Sequence, residues 1–294
     1  MKSPNIVLIM TDQQRADLTA REGYPLDTTP FLDSLARTGT DFARAYTSSP
    51  ICAPARVSLF TGRYPSATRV RTNHNVADAT YTQDLVGVLK EQGYCVGMSG
   101  KNHSHITGDR WDFSAHFSHG GGSGPDRTEE EMAFDQFLSG LQHRTHLEPT
   151  PFPVPCQGPY RAVTKAQEWI ESLADPPFFL WLTFAEPHNP FQAPEPYYSM
   201  FPPESLPPCR GGEDALADKG YRWQWLRDAW DTAIHGYAGQ LDRTRANYHG
   251  MLRLIDDQVK RFVSFLDEKG LREDTIIVFV SDHGDFVGEY GLIR

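Results

Sequence analysis

A cysteine, a proline and an arginine stand close together in the segment Cys52-Ala53-Pro54-Ala55-Arg56. Proline is favoured in the first turn of a helix, where its missing N–H loses no partner. The spacing therefore predicts that Cys52 lies at a helix N-terminus, where unpaired backbone N–H groups and the helix dipole favour anionic groups. Such a position suits chemistry on an anionic group, whereas the simpler alternative is a buried cysteine near a turn.

Polar residues also follow each of four inferred strands. The strands are the apolar runs Asn5–Met10, Tyr94–Ser99, Phe178–Phe184 and Ile276–Val280. The polar clusters after them are Thr11-Asp12-Gln13, Gly100-Lys101-Asn102-His103, Glu186-Pro187-His188 and Ser281-Asp282-His283-Gly284. Ligands of open α/β sheets bind beyond the carboxyl ends of the strands, so we expect these four clusters to face one pocket.

The clusters carry residue types that a metal-assisted attack on an anionic ester requires. Oxygen atoms of Asp12, Gln13 and Asp282 suit calcium or magnesium better than a soft metal. His283 could ligate the metal or hydrogen-bond a nucleophile. Basic side chains could neutralise a tetrahedral anion and protonate a leaving oxygen, and the candidates are Arg56, Lys101, His103 and His188.

Each residue alone has a simpler explanation. Asp12 could cap a helix, Lys101 and His103 could belong to an ordinary turn, and His188 could pack against an aromatic side chain. Asp282-His283-Gly284 could be a turn at the end of a strand. Together these explanations require four coincidences at strand ends, so the sequence favours one shared pocket.

The elements that must position these residues alternate between strands and helices, which predicts an α/β fold with a largely parallel sheet. Helices are expected from the Thr29-Pro30 cap to Gly39, from a Thr82 cap to Gly93, around Lys165–Leu173 and over about Thr244–Lys269. The glycine-rich segment His116–Pro125 interrupts this pattern, and we expect it to be a flexible surface loop.

Composition restricts the partners. The 294 residues are 39% hydrophobic and carry a formal net charge of −10, which argues against a general nucleic-acid partner. No apolar run is long enough to span a membrane. Cys156 and Cys209 could pair in an oxidising compartment. A cytoplasmic protein is expected if Met1 is native, and a periplasmic or secreted protein if a leader was removed.

The cysteine segment, extended by Thr61-Gly62-Arg63, resembles the C-x-P-x-R-x-x-x-x-T-G-R sequence of the sulfatase family. Gly100-Lys101-x-His103 is similar to the family's G-K-x-H, and Glu186-Pro187-His188 and Asp282-His283-Gly284 match its later site segments. Asp12-Gln13 is similar to the variant in phosphonate monoester hydrolases and some sulfatases. The resemblance covers nearly the whole chain. It implies an alkaline-phosphatase-like α/β sandwich, with helices on both faces of a mostly parallel sheet.

The resemblance also implies a modification and a set of roles. A formylglycine-generating maturation enzyme would oxidise Cys52 to an aldehyde whose hydrate attacks sulfur. The ligands implied for Ca²⁺ or Mg²⁺ are Asp12, Gln13, Asp282, His283 and the modified Cys52. Arg56 would steady the hydrated aldehyde, and Lys101 would bind sulfate oxygens. His188 would protonate the leaving oxygen, and His103 would take the remaining hydroxyl proton.

The expected substrate is a sulfate ester, either a small molecule or a saccharide. Asn73 and His74 could face the leaving group or belong to a solvated loop. Trp223, Trp225 and Trp230 could stack on a sugar or pack into the core.

Two other functions stay open. The first is a phosphonate or phosphate mono- or diester hydrolase on the same scaffold, suggested by Asp12-Gln13 and Asp282-His283. The second is a non-catalytic anion-binding protein, if Cys52 is never oxidised.

The resemblance departs from the family pattern at the end of the chain. The family continues with a lysine after a loop like Gly284–Arg294, and then with a smaller C-terminal subdomain. We therefore expect residues 1–294 to form a sulfatase-like catalytic domain that is incomplete at its C-terminus.

Overall fold

The computed structural model describes residues 3–174, 177–234 and 236–293. Six strands form one sheet in the order β4-β3-β2-β5-β1-β6. They are β1 (Asn5–Thr11), β2 (Cys95–Gly100), β3 (Phe113–Ser118), β4 (Gly121–Gly122), β5 (Phe178–Thr183) and β6 (Thr275–Ser281). All neighbouring strands are parallel except the antiparallel pair β3–β4. The predicted, mostly parallel sheet is confirmed.

Nine α-helices occur in the described part of the chain. They are α1 (Pro30–Thr38), α2 (Cys52–Thr61), α3 (Pro65–Thr68), α4 (Leu85–Glu91), α5 (Glu129–Leu141), α6 (Gly158–Ser172), α7 (Tyr197–Met200), α8 (Tyr221–Ala233) and α9 (Tyr237–Glu268). None of these helices combines the length and the apolar character that a membrane crossing needs.

Helices pack on both faces of the sheet because its central strands are apolar on both sides. On one face, Val7 and Ile9 of β1 and Leu180 of β5 pack against side chains of α6 and α9. On the other face, Leu8 of β1 and Trp181 of β5 pack against side chains of α2 and α4. This near-continuous burial is typical of strands in a doubly covered parallel sheet.

Helix boundaries differ from the sequence predictions in two places. The helix predicted from a Thr82 cap begins at Leu85 and is capped by Asp84, whose carboxylate accepts a hydrogen bond from the backbone N–H of Gly87. The longest helix begins at Tyr237, a full two turns before the predicted Thr244. Tyr237 and Leu241 are the buried residues of these first seven positions, too few to give the apolar period that predicts a helix.

The expectation of a flexible loop at His116–Pro125 was wrong. Residues Phe113–Ser118 form β3, and Gly121–Gly122 form β4 in a tight hairpin with it. Gly121 has a φ of 95°, and a side chain there would meet the carboxylate of Asp135. The glycines therefore permit a close approach between backbone and carboxylate instead of conferring flexibility. The two-residue alternation of Phe113, Ala115 and Phe117 is the signal that predicts this strand.

The four cysteines are free thiols, so Cys156 and Cys209 are not joined in this structure. Cys156 is buried beside Phe134 and Leu138 of α5. Cys209 lies near Gly288.

The start of α1 depends on a carboxylate from α9. The predicted cap residue Thr29 makes no side-chain capping hydrogen bond. Instead, the backbone N–H groups of Phe31 and Leu32 donate to the two carboxylate oxygens of Asp256, both at 2.8 Å. Asp256 is fully buried, so this contact ties the first helix to the longest one.

We expect the change Asp256→Ala to lower the free energy of unfolding by about 1–3 kcal/mol, because two buried N–H groups lose their acceptor. Asp256→Asn keeps one acceptor oxygen and should lose less. Urea denaturation measures both. The control is Asp267→Ala, an exposed aspartate of the same helix, which should change stability by less than about 0.5 kcal/mol. Equal losses for Asp256→Ala and the control would contradict the capping role.

Candidate active site

Helix α2 begins at Cys52 with Pro54 in its first turn, as the spacing predicts. The thiol Sγ lies 3.5 Å from Oδ1 of Asp12 and 3.3 Å from Nε2 of His283. The backbone N–H of Ala53 at the helix start donates to the side chain of Asn73 at 3.0 Å. Cys52 therefore stands at a helix N-terminus, beside the carboxyl ends of β1 and β6.

Four buried side chains form a cluster that could hold a metal ion. They are Asp12, Cys52, Asp282 and His283. One ligand atom from each lies within 4.8 Å of all the others. Residues from the beginning and the end of the chain meet here because β1 and β6 are neighbours in the sheet, with Thr11 opposite Ser281.

The guanidinium of Arg56 joins the two carboxylates of this cluster. Its Nε donates to Asp282 at 2.9 Å, and its Nη2 donates to Asp12 at 3.0 Å. Its Nη1 donates to the carbonyl oxygen of Lys101 at 2.6 Å and to the hydroxyl of Thr183 at 3.0 Å. The side chain is completely buried. Arg56 thus positions the two carboxylates. The role expected from the sequence was to steady the hydrated aldehyde, and it did not include these contacts.

Each carboxylate divides its two oxygens between Arg56 and the cluster. Asp12 offers Oδ2 to Arg56 and to the ammonium of Lys101, and its Oδ1 faces the thiol of Cys52. Asp282 offers Oδ2 to Arg56, while its Oδ1 accepts the backbone N–H groups of Gln13 at 3.1 Å and His283 at 2.8 Å. This division holds one oxygen of each carboxylate toward the thiol and the imidazole.

Burial and neighbouring charges set the ionisation of the cluster. Burial alone would raise the pKa of Asp12, but the charges of Lys101 and Arg56 outweigh it and hold the pKa well below its usual range. Burial and the charge of Asp12 raise the pKa of Asp282. Burial lowers the pKa of His283, but its hydrogen bond with Cys52 and the two carboxylates raise it to about 9. A cation would replace the proton that these groups favour on His283.

Gln13 stands directly after Asp12 with a left-handed backbone, at a φ of 65°. The hydroxyl of Tyr248 donates to its carbonyl oxygen at 2.6 Å, and its side-chain Nε2 donates to Asp285 at 2.5 Å. Since the amide nitrogen is committed to Asp285, the oxygen of the same amide is the atom available as a ligand. Gln13 is buried, and its backbone N–H donates to Asp282 of the cluster.

Lys101 enters the site through an unusual strand end. Gly100 has a φ of 122°, and a side chain there would overlap the carbonyl oxygen of Thr183. Glycine therefore lets β2 and β5 end in close contact, after which Lys101 points inward. The ammonium of Lys101 contacts Asp12 and also lies 2.7 Å from Nε2 of His119.

The two predicted proton-transfer histidines have different surroundings. Burial and the charge of Lys101 lower the pKa of His103 to about 4, which keeps its imidazole neutral at neutral pH. His188 is buried, and its Nδ1 donates to the carbonyl oxygen of Asn189 at 2.6 Å. This hydrogen bond orients the ring, so proton exchange with a substrate would use Nε2.

His119 is a site residue that the sequence reasoning missed. It occupies the turn between β3 and β4, contacts Lys101 and stacks on His188 with ring centroids 3.6 Å apart. The missed β3 explains the omission, because a histidine at the tip of a hairpin can reach the pocket while one in a flexible loop has no defined place.

The residues considered for substrate recognition are the pair Asn73 and His74 near α2 and the three tryptophans of α8. Asn73 contacts the start of α2, and His74 beside it is exposed. Trp223 packs against Phe286, and Trp230 stacks on Tyr237, whereas Trp225 is 54% exposed. Packing on a neighbouring aromatic ring thus accounts for two of the three tryptophans, both of which are half-buried.

A mostly parallel, doubly covered sheet with a thiol, imidazole and carboxylate cluster at its strand ends defines an α/β protein with a candidate site at the carboxyl edge of the sheet. A family model described as Sulfatase matches residues 4–293. The chain therefore belongs to the sulfatase family.

Individual comparisons agree with this assignment. The chain is 30% identical to an arylsulfatase of Clostridium perfringens, over 99% of this chain and 65% of that protein. It is also 30% identical to the multifunctional alkaline phosphatase superfamily protein PehA of Trinickia caryophylli, over 100% of this chain and 65% of that protein. It shares its fold with the phosphonate monoester hydrolase of Agrobacterium radiobacter, with a TM-score of 0.81, 22% identity and coverage of 99% and 64%. The chain thus spans just under two thirds of the length of these proteins.

We expect the change Arg56→Met to lower the free energy of unfolding by about 3–5 kcal/mol in EDTA, because it removes the guanidinium that pairs with both buried carboxylates and leaves only Lys101 on Asp12. Saturating calcium should reduce this loss, since calcium would supply the missing positive charge. Urea denaturation with and without calcium measures the difference. The control Arg63→Met removes an exposed arginine that follows the same helix and should have little effect. Equal losses in EDTA and calcium would contradict a cation site at these carboxylates.

Proposed function

We propose that this protein hydrolyses sulfate esters, using a formylglycine formed from Cys52 as the nucleophile and a bound divalent cation. The observation that carries the proposal is the convergence of Cys52 with Asp12, Asp282 and His283 at the N-terminus of α2. Membership of the sulfatase family supports it, because Cys52 stands in the segment that resembles the family's C-x-P-x-R sequence, which we expect the maturation enzyme to oxidise.

The residues present fit a hard divalent cation. The observed cluster offers carboxylate oxygens of Asp12 and Asp282, the imidazole of His283 and the side chain of Cys52, which would present an oxygen once modified. We add the amide oxygen of Gln13, whose backbone N–H donates to Asp282. Predominantly oxygen ligands favour Ca²⁺ or Mg²⁺ over softer metals. A cation bound here would polarise a sulfate oxygen and favour the ionised form of the nucleophilic hydroxyl.

Side chains of this protein would perform the proton transfers. One hydroxyl of the hydrated aldehyde would lose its proton to solvent and attack sulfur, and the sulfur–oxygen bond to the alcohol would break as the alcohol takes a proton from Nε2 of His188. His103 would then accept the proton of the second hydroxyl. The carbon–oxygen bond to sulfate would break, sulfate would leave, and the restored aldehyde would add water to form the hydrate again. The low pKa of His103 leaves its imidazole unprotonated and therefore able to act as this base.

Lys101 and the start of α2 would bind the sulfate group. The ammonium of Lys101 lies beside Asp12, and the helix N-terminus directs partial positive charge toward an anion at Cys52. These local charges matter because the net charge of the chain is −10 and repels anions at long range. Asn73, which contacts the start of α2, is the closest candidate for a contact with the leaving group.

A phosphonate or phosphate ester hydrolase is the second candidate. The pairs Asp12-Gln13 and Asp282-His283 favour it, as does the similarity to PehA. A panel of matched aryl sulfate, aryl phosphate and phenylphosphonate esters, extended with sulfated saccharides and choline sulfate, separates the candidates. The highest kcat/KM on sulfate esters supports our proposal, whereas a clear preference for phosphonate or phosphate esters would replace it.

We expect activity to depend on oxidation of Cys52. A thiolate at this position could attack sulfur, but it has no second hydroxyl proton to lose and so cannot release sulfate by elimination. Protein made with a formylglycine-generating enzyme should be active, and protein made without it should be nearly inactive. Cys52→Ala should be inactive whether or not the formylglycine-generating enzyme is present. Cys156→Ala is the control for loss of another buried cysteine.

Peptide mass spectrometry of the segment around Cys52, run beside the assay on the same batches, decides the point. Activity should rise in proportion to the aldehyde content. Activity that follows the unmodified thiol would disprove the proposed mechanism.

A further inference from the structure

Two side chains from neighbouring helices hold the hairpin of β3 and β4 in place. The carboxylate of Asp135 on α5 accepts the backbone N–H of Gly122 at 3.0 Å, and Arg161 on α6 donates to the same carboxylate at 2.7 Å. Asp135 and Arg161 are both buried. The guanidinium of Arg161 also lies over the ring of Phe117 in β3, 5.1 Å from its centroid. This support holds the turn residue His119 in one place.

At the tip of this hairpin, His119 makes two contacts inside the site. Its Nε2 lies 2.7 Å from the ammonium of Lys101, and its ring stacks on that of His188 at 3.6 Å. We propose that His119 is a positioning residue, which holds the Lys101 ammonium and the His188 ring where a sulfate group binds. This inference rests on the proposed function, since it concerns the same pocket.

The chemistry of the Lys101 contact determines the state of His119. A lysine ammonium has donors and no acceptor, so Nε2 of His119 must accept and carry no proton. The imidazole is therefore neutral, with its proton on Nδ1. Burial and the charges of Lys101 and His188 act in the same direction, because they lower the pKa of His119 well below its usual range.

A neutral acceptor suits this position better than a carboxylate. It holds the ammonium of Lys101 through a lone pair without adding negative charge to a pocket that must receive an anion. Nδ1 of His119 is buried and has no hydrogen-bond partner among the described residues. The side chain therefore accepts a hydrogen bond from Lys101 and retains one N–H donor. Asparagine and glutamine also offer one neutral acceptor and N–H donors, whereas phenylalanine has neither and ionised glutamate has no donor.

Three variants separate the contacts of His119. His119→Gln keeps an uncharged acceptor for Lys101 but loses the stack on His188. His119→Phe keeps the stack but loses the acceptor. His119→Glu keeps an acceptor but adds a negative charge. His116→Phe is the matched control, because His116 lies in β3 of the same hairpin and has no contact in the site among the described residues.

Isothermal titration of the calcium-loaded protein with inorganic sulfate measures the effect of each change. We expect His119→Phe to weaken sulfate binding by roughly 2- to 100-fold, the range over which residues in contact are coupled. His119→Gln should bind more tightly than His119→Phe, His119→Glu should bind most weakly, and His116→Phe should match the unchanged protein. In the matured protein, the same order should appear in the KM for a sulfate ester, with a smaller change in kcat than Lys101→Met causes.

A double-mutant cycle tests whether His119 acts through Lys101. If it does, His119→Phe should weaken sulfate binding much less in the Lys101→Met background than in the unchanged protein. Equal weakening in both backgrounds, or no effect of His119→Phe, would overturn the inference. If Lys101→Met abolishes sulfate binding, the cycle cannot be completed, and the order of sulfate affinities among the His119 variants tests the inference instead. His119→Glu binding sulfate as tightly as His119→Gln would then overturn the inference.

The titration also separates this inference from the proposed function. If no ester is hydrolysed while sulfate binding shows the expected order, the proposed function fails and the role of His119 stands. If the unchanged protein does not bind sulfate, the assignment of an anion pocket to Lys101 and His119 is wrong.

Discussion

The buried guanidinium of Arg56 connects the parts of the chain on which the site depends. Asp12 follows β1, Asp282 follows β6, and Arg56 lies one turn into the helix that begins at Cys52. Burial of two carboxylates would cost folding free energy without a compensating cation. Arg56, which contacts both carboxylates, also donates to the carbonyl oxygen of Lys101 and so fixes the end of β2. Folding of the central sheet and assembly of the site are therefore coupled.

This arrangement supports the proposed action of an acidic protein on anionic esters. The formal net charge is −10, but the positive groups near Cys52 are concentrated at the carboxyl ends of the strands. Arg56 forms ion pairs with both carboxylates. Lys101 contacts Asp12 and the neutral ring of His119. A divalent cation would add the charge that the site otherwise lacks. Binding of metal and binding of substrate are thus expected to reinforce one another.

Much of the fold could be predicted from the sequence because the central strands are buried on both faces. The apolar runs of β1, β2, β5 and β6 have no competing interpretation, and each observed strand lies within one residue of its predicted bounds. The site followed from the same signal, since polar residues directly after buried strands must meet at one edge of a parallel sheet. The structure brings Asp12, Cys52, Asp282 and His283 together as the sequence led us to expect.

The parts that escaped prediction depend on contacts between distant residues. His119 lies in a glycine-rich segment whose order comes from Asp135 and Arg161, residues on two other elements. The cap of α1 comes from Asp256, more than two hundred residues away. The role of Arg56 could not be inferred from its motif, because its partners are carboxylates at the ends of two different strands. Local sequence patterns carry no information on such pairs.

We propose that Asp12, Gln13, Asp282 and His283 form a cation site around the side chain of residue 52. Calorimetric titration of the metal-free protein with calcium tests it most directly, with Asp282→Asn and the exposed-site control Asp109→Asn measured in parallel. We predict one calcium ion per chain for the unchanged protein and for Asp109→Asn, and a loss of at least tenfold in affinity for Asp282→Asn. An absence of calcium binding, or equal affinity in all three proteins, would contradict a cation site at these residues.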